Sequence, residues 1–307
     1  MKIVPLALCL FLALAGGGDV VEAGRRSRHR RPDYKLLVLG DSYVDAGNLP
    51  RSADRSLTSR GWYWPYGISD GNRPSGRFSD GMVQSDFVAR ILGLDESPPA
   101  YSTLGPKDDV DLAVGGSGVL MGTPTLGQQV DQLRSLMMAM GRGVTDEIRS
   151  VVKRLLDDVG VSKVVVNTMP PMGCVPWESA RNNHTRCESR GNMMSDVHNT
   201  ALRQKLAEFK QDQVLLLDLN SAFNAFVQDG AADTTFTSRL QECCVAWQRS
   251  GGFCGQVDQW GRQQYTLCPN PDQHFFWDYM HPTKAAWKAV MDILQDPLKE
   301  FLLNDAN

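Results

Sequence analysis

Short apolar runs alternate along this chain with longer segments whose apolar positions recur at helical spacing, the pattern of a parallel sheet flanked by helices. Residues 35–39 and 110–114 read as the first two strands; the first runs into Gly40-Asp41-Ser42 and the second ends in Gly115-Gly116. Residues 79–92 carry Met82, Val83, Phe87, Val88 and Ile91 near helical spacing, and residues 126–140 repeat the pattern. There the alternation fails. Gly141-Arg142-Gly143 leads into another helix at residues 145–159, with no strand between the two, and Gly160 is placed to end it. A strand at 163–167, a helix at 193–211, a strand at 213–218, a short helix at 221–228 and a final helix at 283–294 complete the series. Residues 234–271, rich in Cys, Gly and Gln and lacking a period, read as a disulfide-pinned loop.

The beginning of the chain has a different character. Lys2 precedes an apolar stretch over residues 3–15, and Val21-Glu22-Ala23 offers small residues for signal peptidase, so residues 1–23 read as a removed signal peptide. Residues 24–34 form a basic tail with Arg25, Arg26, Arg28, Arg30 and Arg31, expected to be frayed and solvated. Residues 35–307 are then one domain, and no later segment is apolar for the ~20 residues a membrane helix needs. The net charge of −3, or −2 without Lys2, Asp19 and Glu22, sets up no field that would select nucleic acid. Cys9 leaves with the leader, and the six remaining cysteines are expected to form disulfides in an oxidising compartment. They lack the paired spacing of a zinc site. Asn183-His184-Thr185 is a glycosylation sequon.

Open parallel sheets bind ligands beyond the carboxyl ends of their strands, which directs attention to Gly40-Asp41-Ser42. Glycine permits a tight turn, and a serine there presents its hydroxyl beside backbone N–H groups, although serine at such a place is also a common helix cap. A serine nucleophile needs a base. Of the five histidines, His29 lies in the tail, His184 in the sequon and His198 on an apolar helix face, which leaves His274 and His281. In Asp278-Tyr279-Met280-His281-Pro282 the carboxylate can reach the ring nitrogen that faces away from serine. The same segment would also serve as a turn before the last helix. Asp41 and Asp45 are expected to bond turn amides, and Arg77 and Asp80 to form an internal ion pair. Trp62, Tyr63, Trp64 and Tyr66 could line an acyl site or cover the core.

Gly40-Asp41-Ser42-Tyr43-Val44-Asp45-Ala46-Gly47-Asn48 resembles the opening block of the plant GDSL esterase/lipase family, within the SGNH hydrolases. Pro65-Tyr66-Gly67, Gly76-Arg77-Phe78-Ser79-Asp80-Gly81, Ala113-Val114-Gly115-Gly116, Pro170-Pro171-Met172-Gly173-Cys174 and Phe276-Trp277-Asp278-Tyr279-Met280-His281-Pro282 follow in family order. The resemblance implies a three-layer α/β/α flavodoxin-like parallel sheet with no cofactor or metal. Ser42 would be the nucleophile, His281 the base and Asp278 its orienting partner. The oxyanion hole would use the N–H groups of Ser42 and Gly116, with Gly115 as the alternative. Substrates would be lipid, acylated-carbohydrate or phenolic esters, met outside the cell in the wall or apoplast. One block is absent: no Gly-x-Asn-Asp occurs, and its place is where two helices run together without a strand. The sheet is therefore expected to lack one central strand and the site its third oxyanion donor, with Asn48, Asn72 and Asn167 as conceivable substitutes. The alternative is a catalytically impaired or inactive family member, or a shortened isoform, acting if at all as a secreted binding protein. The α/β-hydrolase fold is disfavoured, since that fold has its nucleophilic serine mid-chain, whereas Ser42 lies near the start of this one.

Overall fold

A computed structural model describes residues 10–15, 34–52, 54–104, 109–117, 147–228, 235–247 and 252–303. Nine strands are described: β1 (Leu10–Ala15), β2 (Tyr34–Leu39), β3 (Val110–Asp111), β4 (Lys163–Asn167), β5 (Val214–Leu217), β6 (Ser238–Glu242), β7 (Cys244–Ala246), β8 (Tyr265–Leu267) and β9 (His274–Phe276). The five principal helices are α1 (Gln84–Ile91), α2 (Glu147–Arg154), α3 (Ser189–Leu206), α4 (Leu219–Val227) and α5 (Lys284–Leu303). The helix expected at residues 126–140 lies outside the described residues.

The main sheet has the order β3-β2-β1-β4-β5. Its strands alternate faces residue by residue, as the pleat requires. Leu36, Val38, Val165 and Leu217 join one core with Val88 of α1, Phe223 of α4 and Trp287 and Val290 of α5. Leu37, Leu39, Val164 and Val166 join the opposite core with Val151 and Val152 of α2 and Leu202 and Leu206 of α3. Both faces of the sheet are thus covered, giving an α/β fold of three layers in which β2–β3 and β4–β5 pair in parallel.

The centre of the sheet differs from expectation. The place of the missing strand is filled by β1, antiparallel to both neighbours, in register from Leu10↔Leu39 to Ala15↔Tyr34 against β2 and from Leu10↔Val166 to Ala13↔Lys163 against β4. β2 and β4 bond to β1 and not to each other. The physical reason is satisfaction of backbone groups: two buried strands need a partner for their facing N–H and C=O groups, and an apolar segment of matching length supplies it. These six residues belong to the stretch that reads as a leader in the sequence.

Helix ends differ for local reasons. α1 starts at Gln84, later than residue 79, because Ser79 and Asp80 are engaged elsewhere: Ser79 Oγ donates to the Pro282 carbonyl (3.1 Å) and Asp80 Oδ1 accepts the Lys284 N–H (2.6 Å). Asp86 then caps the helix by accepting the Val83 N–H. α2 widens into a π turn over Leu155–Val159 and stops at Gly160, whose φ of 79° is left-handed as expected. α5 continues through Pro297 to Leu303, since burial of Leu298 and Leu302 outweighs the proline's helix-breaking tendency. The cysteines pair as Cys174–Cys187, Cys243–Cys268 and Cys244–Cys254, and the last two flank β7 and β8.

Candidate active site

Ser42 follows β2 in a turn built from its neighbours. Gly40 takes a φ of 152°, the Asp41 carboxylate accepts the Tyr43 N–H (3.0 Å), and the Asp41 carbonyl accepts from Val44 and Asp45. These bonds close a helical turn and leave the Ser42 side chain half-buried. The sheet delivers the serine to its carboxyl edge, beside the segment that enters α5.

That segment is locked by one carboxylate oxygen. Asp278 Oδ1 accepts the backbone N–H groups of Met280 and His281, each at 3.0 Å, and lies 2.7 Å from His281 Nδ1. Nδ1 therefore carries the proton, which leaves Nε2 as an acceptor 2.8 Å from Ser42 Oγ. Asp278 is 0% exposed and His281 3%, so the chain of bonds runs in a low-dielectric interior. The imidazole stacks on Phe78 at 5.2 Å. The clasp between Ser79–Asp80 and Pro282–Lys284 holds Phe78 against it.

The second oxygen, Asp278 Oδ2, accepts from Tyr66 Oη (2.7 Å) and faces Arg60 Nη2 (3.4 Å). Burial alone would raise this carboxyl. His281, through its charge when protonated and its hydrogen bonds, and the Arg60 cation overcome it and hold Asp278 well below the usual carboxylate range. Tyr66 was visible in the sequence as part of an aromatic cluster, which the structure divides: Tyr66 is buried against Asp278, Trp62 donates to the Leu49 carbonyl (2.7 Å), and Trp64 is exposed. Arg60 carried no sequence signal.

The Ala113–Gly116 segment meets the opening Gly40–Asn48 block through Asp45. Its Oδ1 accepts from Gly47 (2.7 Å) and Asn48 (2.6 Å), and its Oδ2 accepts the Gly115 N–H (2.7 Å). The Gly115 N–H is thus committed to Asp45, while Gly116 takes a φ of 79° in the following turn. Asp41 and Asp45 both bond turn amides, as expected. The ion pair expected between Arg77 and Asp80 is not formed. Arg77 instead grips Asp86 with Nε–Oδ2 at 2.9 Å and Nη2–Oδ1 at 2.7 Å, because Asp80 is held by Ser69, Ser79 and Lys284.

The asparagines weighed as replacement oxyanion donors are placed otherwise. The Asn48 amide donates to the Asp111 and Ala113 carbonyls, and Asn167 exchanges hydrogen bonds with Gln84 (2.9 and 3.2 Å). Asn72 sits in a left-handed turn with an exposed side chain. His274 and His184 face the carbonyls of Gln241 and Leu240. Asn183 of the sequon is exposed in a left-handed turn.

The profile of a family described as GDSL-like Lipase/Acylhydrolase matches residues 142–294, a span that contains Asp278 and His281. The GDSL esterase/lipase At5g03610 of Arabidopsis thaliana is 30% identical over 98% of this chain and 99% of its own length. The chain belongs to the GDSL esterase/lipase family. A second Arabidopsis thaliana member, GDSL esterase/lipase At3g09930, is 30% identical over 88% of this chain and 89% of its own. Acetylajmalan esterase 2 of Rauvolfia serpentina is 24% identical over 88% and 91%. Membership makes the chain a hydrolase of ester bonds in small-molecule substrates. The match to At5g03610 runs over 362 positions although the chain has 307 residues, so parts of that relative have no counterpart here. Among the described residues, no helix is long and apolar enough to cross a membrane.

Proposed function

We propose that this GDSL hydrolase cleaves carboxylic esters through an acyl-serine intermediate on Ser42. The observation that carries the reading is the unbroken run from Ser42 Oγ to His281 Nε2 (2.8 Å) and from His281 Nδ1 to Asp278 Oδ1 (2.7 Å). His281 takes the hydroxyl proton as Ser42 Oγ attacks the ester carbonyl carbon. The carbonyl π pair moves to oxygen, and the N–H groups of Ser42 and Gly116 receive that oxyanion. Collapse expels the alkoxide, which takes the proton from His281. Water then repeats the sequence on the acyl-enzyme and frees the acid. Asp278 stays ionised and aligned throughout.

Commitment of the Gly115 N–H to Asp45 counts against Gly115 as the second donor, and the family resemblance gives that role to Gly116. The absence of Gly-x-Asn-Asp and the placement of Asn48 and Asn167 favour an oxyanion hole of two donors, with turnover reduced on the order of a hundredfold relative to a three-donor site. The apolar run at residues 3–15 and the three disulfides support export through a leader and a role outside the cell, with lipid, acylated-sugar or phenolic esters as the substrate class.

Hydrolysis of p-nitrophenyl acetate and butyrate by the folded protein and by Ser42→Ala tests the mechanism. The substitution is expected to lower kcat at least about a thousandfold. Equal rates in the two proteins reject Ser42 as nucleophile. Stoichiometric labelling of Ser42 by a fluorophosphonate measures nucleophilicity separately from oxyanion stabilisation.

A further inference from the structure

We infer that Tyr66 and Arg60 are positioning residues that fix the second oxygen of Asp278 and thereby aim its first oxygen at His281, an assignment that rests on the serine-hydrolase reading above. The two carboxylate oxygens have separate duties. Oδ1 receives the His281 ring and two backbone N–H groups, while Oδ2 receives the Tyr66 hydroxyl and faces the Arg60 guanidinium. A carboxylate held on one oxygen alone can rotate about its Cβ–Cγ bond; one held on both has a single orientation.

The order of donors fixes where the Tyr66 proton lies. Arg60 Nε donates to Tyr66 Oη at 2.7 Å, and a guanidinium can only donate. Tyr66 Oη therefore accepts from Arg60 and directs its own hydrogen to Asp278 Oδ2. The relay runs one way, from Arg60 to Tyr66 to Asp278. Arg60 is itself held, since Nη1 donates to the Leu57 carbonyl and Nη2 to Tyr279 Oη (3.4 Å). The loop that carries both residues is clamped to the Phe78 segment: Gly76 N–H donates to the Gly61 carbonyl (3.0 Å) and Gly67 N–H to the Ser79 carbonyl (3.2 Å). A Cβ on Gly61 would meet the Gly76 carbonyl oxygen at 2.5 Å, so only glycine allows this approach.

Arg60 also reaches His281 by a second route. Its guanidinium lies 4.7 Å from the centroid of Phe78, a ring that also stacks on the imidazole. The groups that face His281 are Asp278, Ser42, Tyr43 at 6.0 Å and Tyr279 at 6.4 Å, with Arg60 behind Phe78 and Tyr66 behind Asp278. The Tyr66 hydrogen bond disperses the Asp278 charge and the Arg60 cation opposes a second cation on the ring.

Tyr66→Phe in the full chain deletes one hydroxyl and leaves the ring in place. It is expected to lower kcat about tenfold with KM unchanged, and to move the acid limb of the kcat/KM profile upward by about half a pH unit. Arg60→Gln is expected to move the limb the same way, and Arg60→Lys, which keeps the charge, to move it less. An NMR titration of the His281 ring in the wild type and in Tyr66→Phe gives the same comparison without turnover, so it decides the matter even for a slow enzyme. An unmoved or lowered midpoint in Tyr66→Phe, with the thermal melt of the wild type, overturns the assignment. Retention of full activity by Ser42→Ala instead overturns the serine-hydrolase reading, so the two failures are distinct.

Discussion

Asp45 Oδ2 accepts the backbone N–H of Gly115 at 2.7 Å, a hydrogen bond across 70 residues that ties the turn holding Ser42 to the turn holding Gly116. The carboxylate is fully buried, and its other oxygen accepts two N–H groups of its own turn. Three donors converge on one acidic side chain, so its two oxygens set the distance between the first and second blocks. Burial pushes this carboxyl up to about 6, against the lowering effect of the Asn48, Gly47 and Gly115 amides and the charge of Arg77. Asp111, which accepts the Ala46 and Ala113 N–H groups, is also pushed up, by burial and then by the charge of Asp45.

Asp45→Asn tests that tie. An asparagine oxygen can still serve Gly47 and Asn48, but its NH2 group would then face the Gly115 N–H, donor against donor. Gly115 must retreat, and the adjacent Gly116 with it. Turnover is expected to fall on the order of a hundredfold, the usual consequence of displacing an oxyanion donor, with little change in fluorophosphonate labelling of Ser42. Parallel loss of both readouts would show that the substitution disturbs Ser42, the proposed nucleophile, itself.

The same residue sets a pH dependence of stability. A carboxyl raised from 3.8 to about 6 binds more protons in the folded than in the unfolded state between those values, so its contribution worsens as pH rises through that window and is at its most unfavourable above about 6. Asp278 has the opposite sign, and its stabilising contribution is lost only as pH falls below its unfolded value of 3.8. Between pH 7 and pH 4.5, wild type is therefore expected to gain about 2 kcal/mol relative to Asp45→Asn. Urea denaturation of both proteins at the two pH values measures the difference.

Much of the site was legible because its chemistry is local. Gly40-Asp41-Ser42 closes a strand with its own turn bonds, and Asp278 and His281 meet across three residues. Arg60 was not legible: its contact with Asp278 spans 218 residues, and a lone arginine has no period or spacing to betray it. Arg77 was assigned to the nearer acid, Asp80, whereas the chain turns Asp80 toward Lys284 and brings Asp86 to the guanidinium from the first turn of α1. The centre of the sheet was hidden by an ambiguity of composition. An apolar run of this length satisfies the requirements of a leader and of a buried strand equally, and only backbone pairing distinguishes them.

Arg77 and Asp86 form a two-pronged pair with Asp86 fully buried, and Asp86 also accepts the N–H groups of Val83 and Ser97 (2.8 and 2.9 Å). Arg77→Ala leaves a buried carboxylate without its counter-charge, which is expected to cost about 3–5 kcal/mol of unfolding free energy. Arg77→Lys recovers only part, because an ammonium cannot reproduce the planar fork. Adding Asp86→Asn to Arg77→Ala restores some of the loss by removing the uncompensated charge. Denaturant melts of the three variants give the ordering, and a loss below about 1 kcal/mol for Arg77→Ala contradicts it.

β1 makes the most consequential prediction, since its residues lie within the segment that reads as a removable leader. Neighbouring strands are about 4.8 Å apart, so β2 and β4 stand about twice that distance apart with β1 between them. Deletion of residues 1–23 exposes the inward N–H and C=O groups of both strands, in the middle of a core where water cannot easily replace the lost partner. The truncated protein is expected to lose hydrogen-exchange protection across Tyr34–Leu39 and Lys163–Asn167 and to unfold at lower denaturant than the full chain. Protection at those two strands equal to that of the full chain would mean that β2 and β4 have closed directly on each other, and that the strand order of the exported form is one shorter.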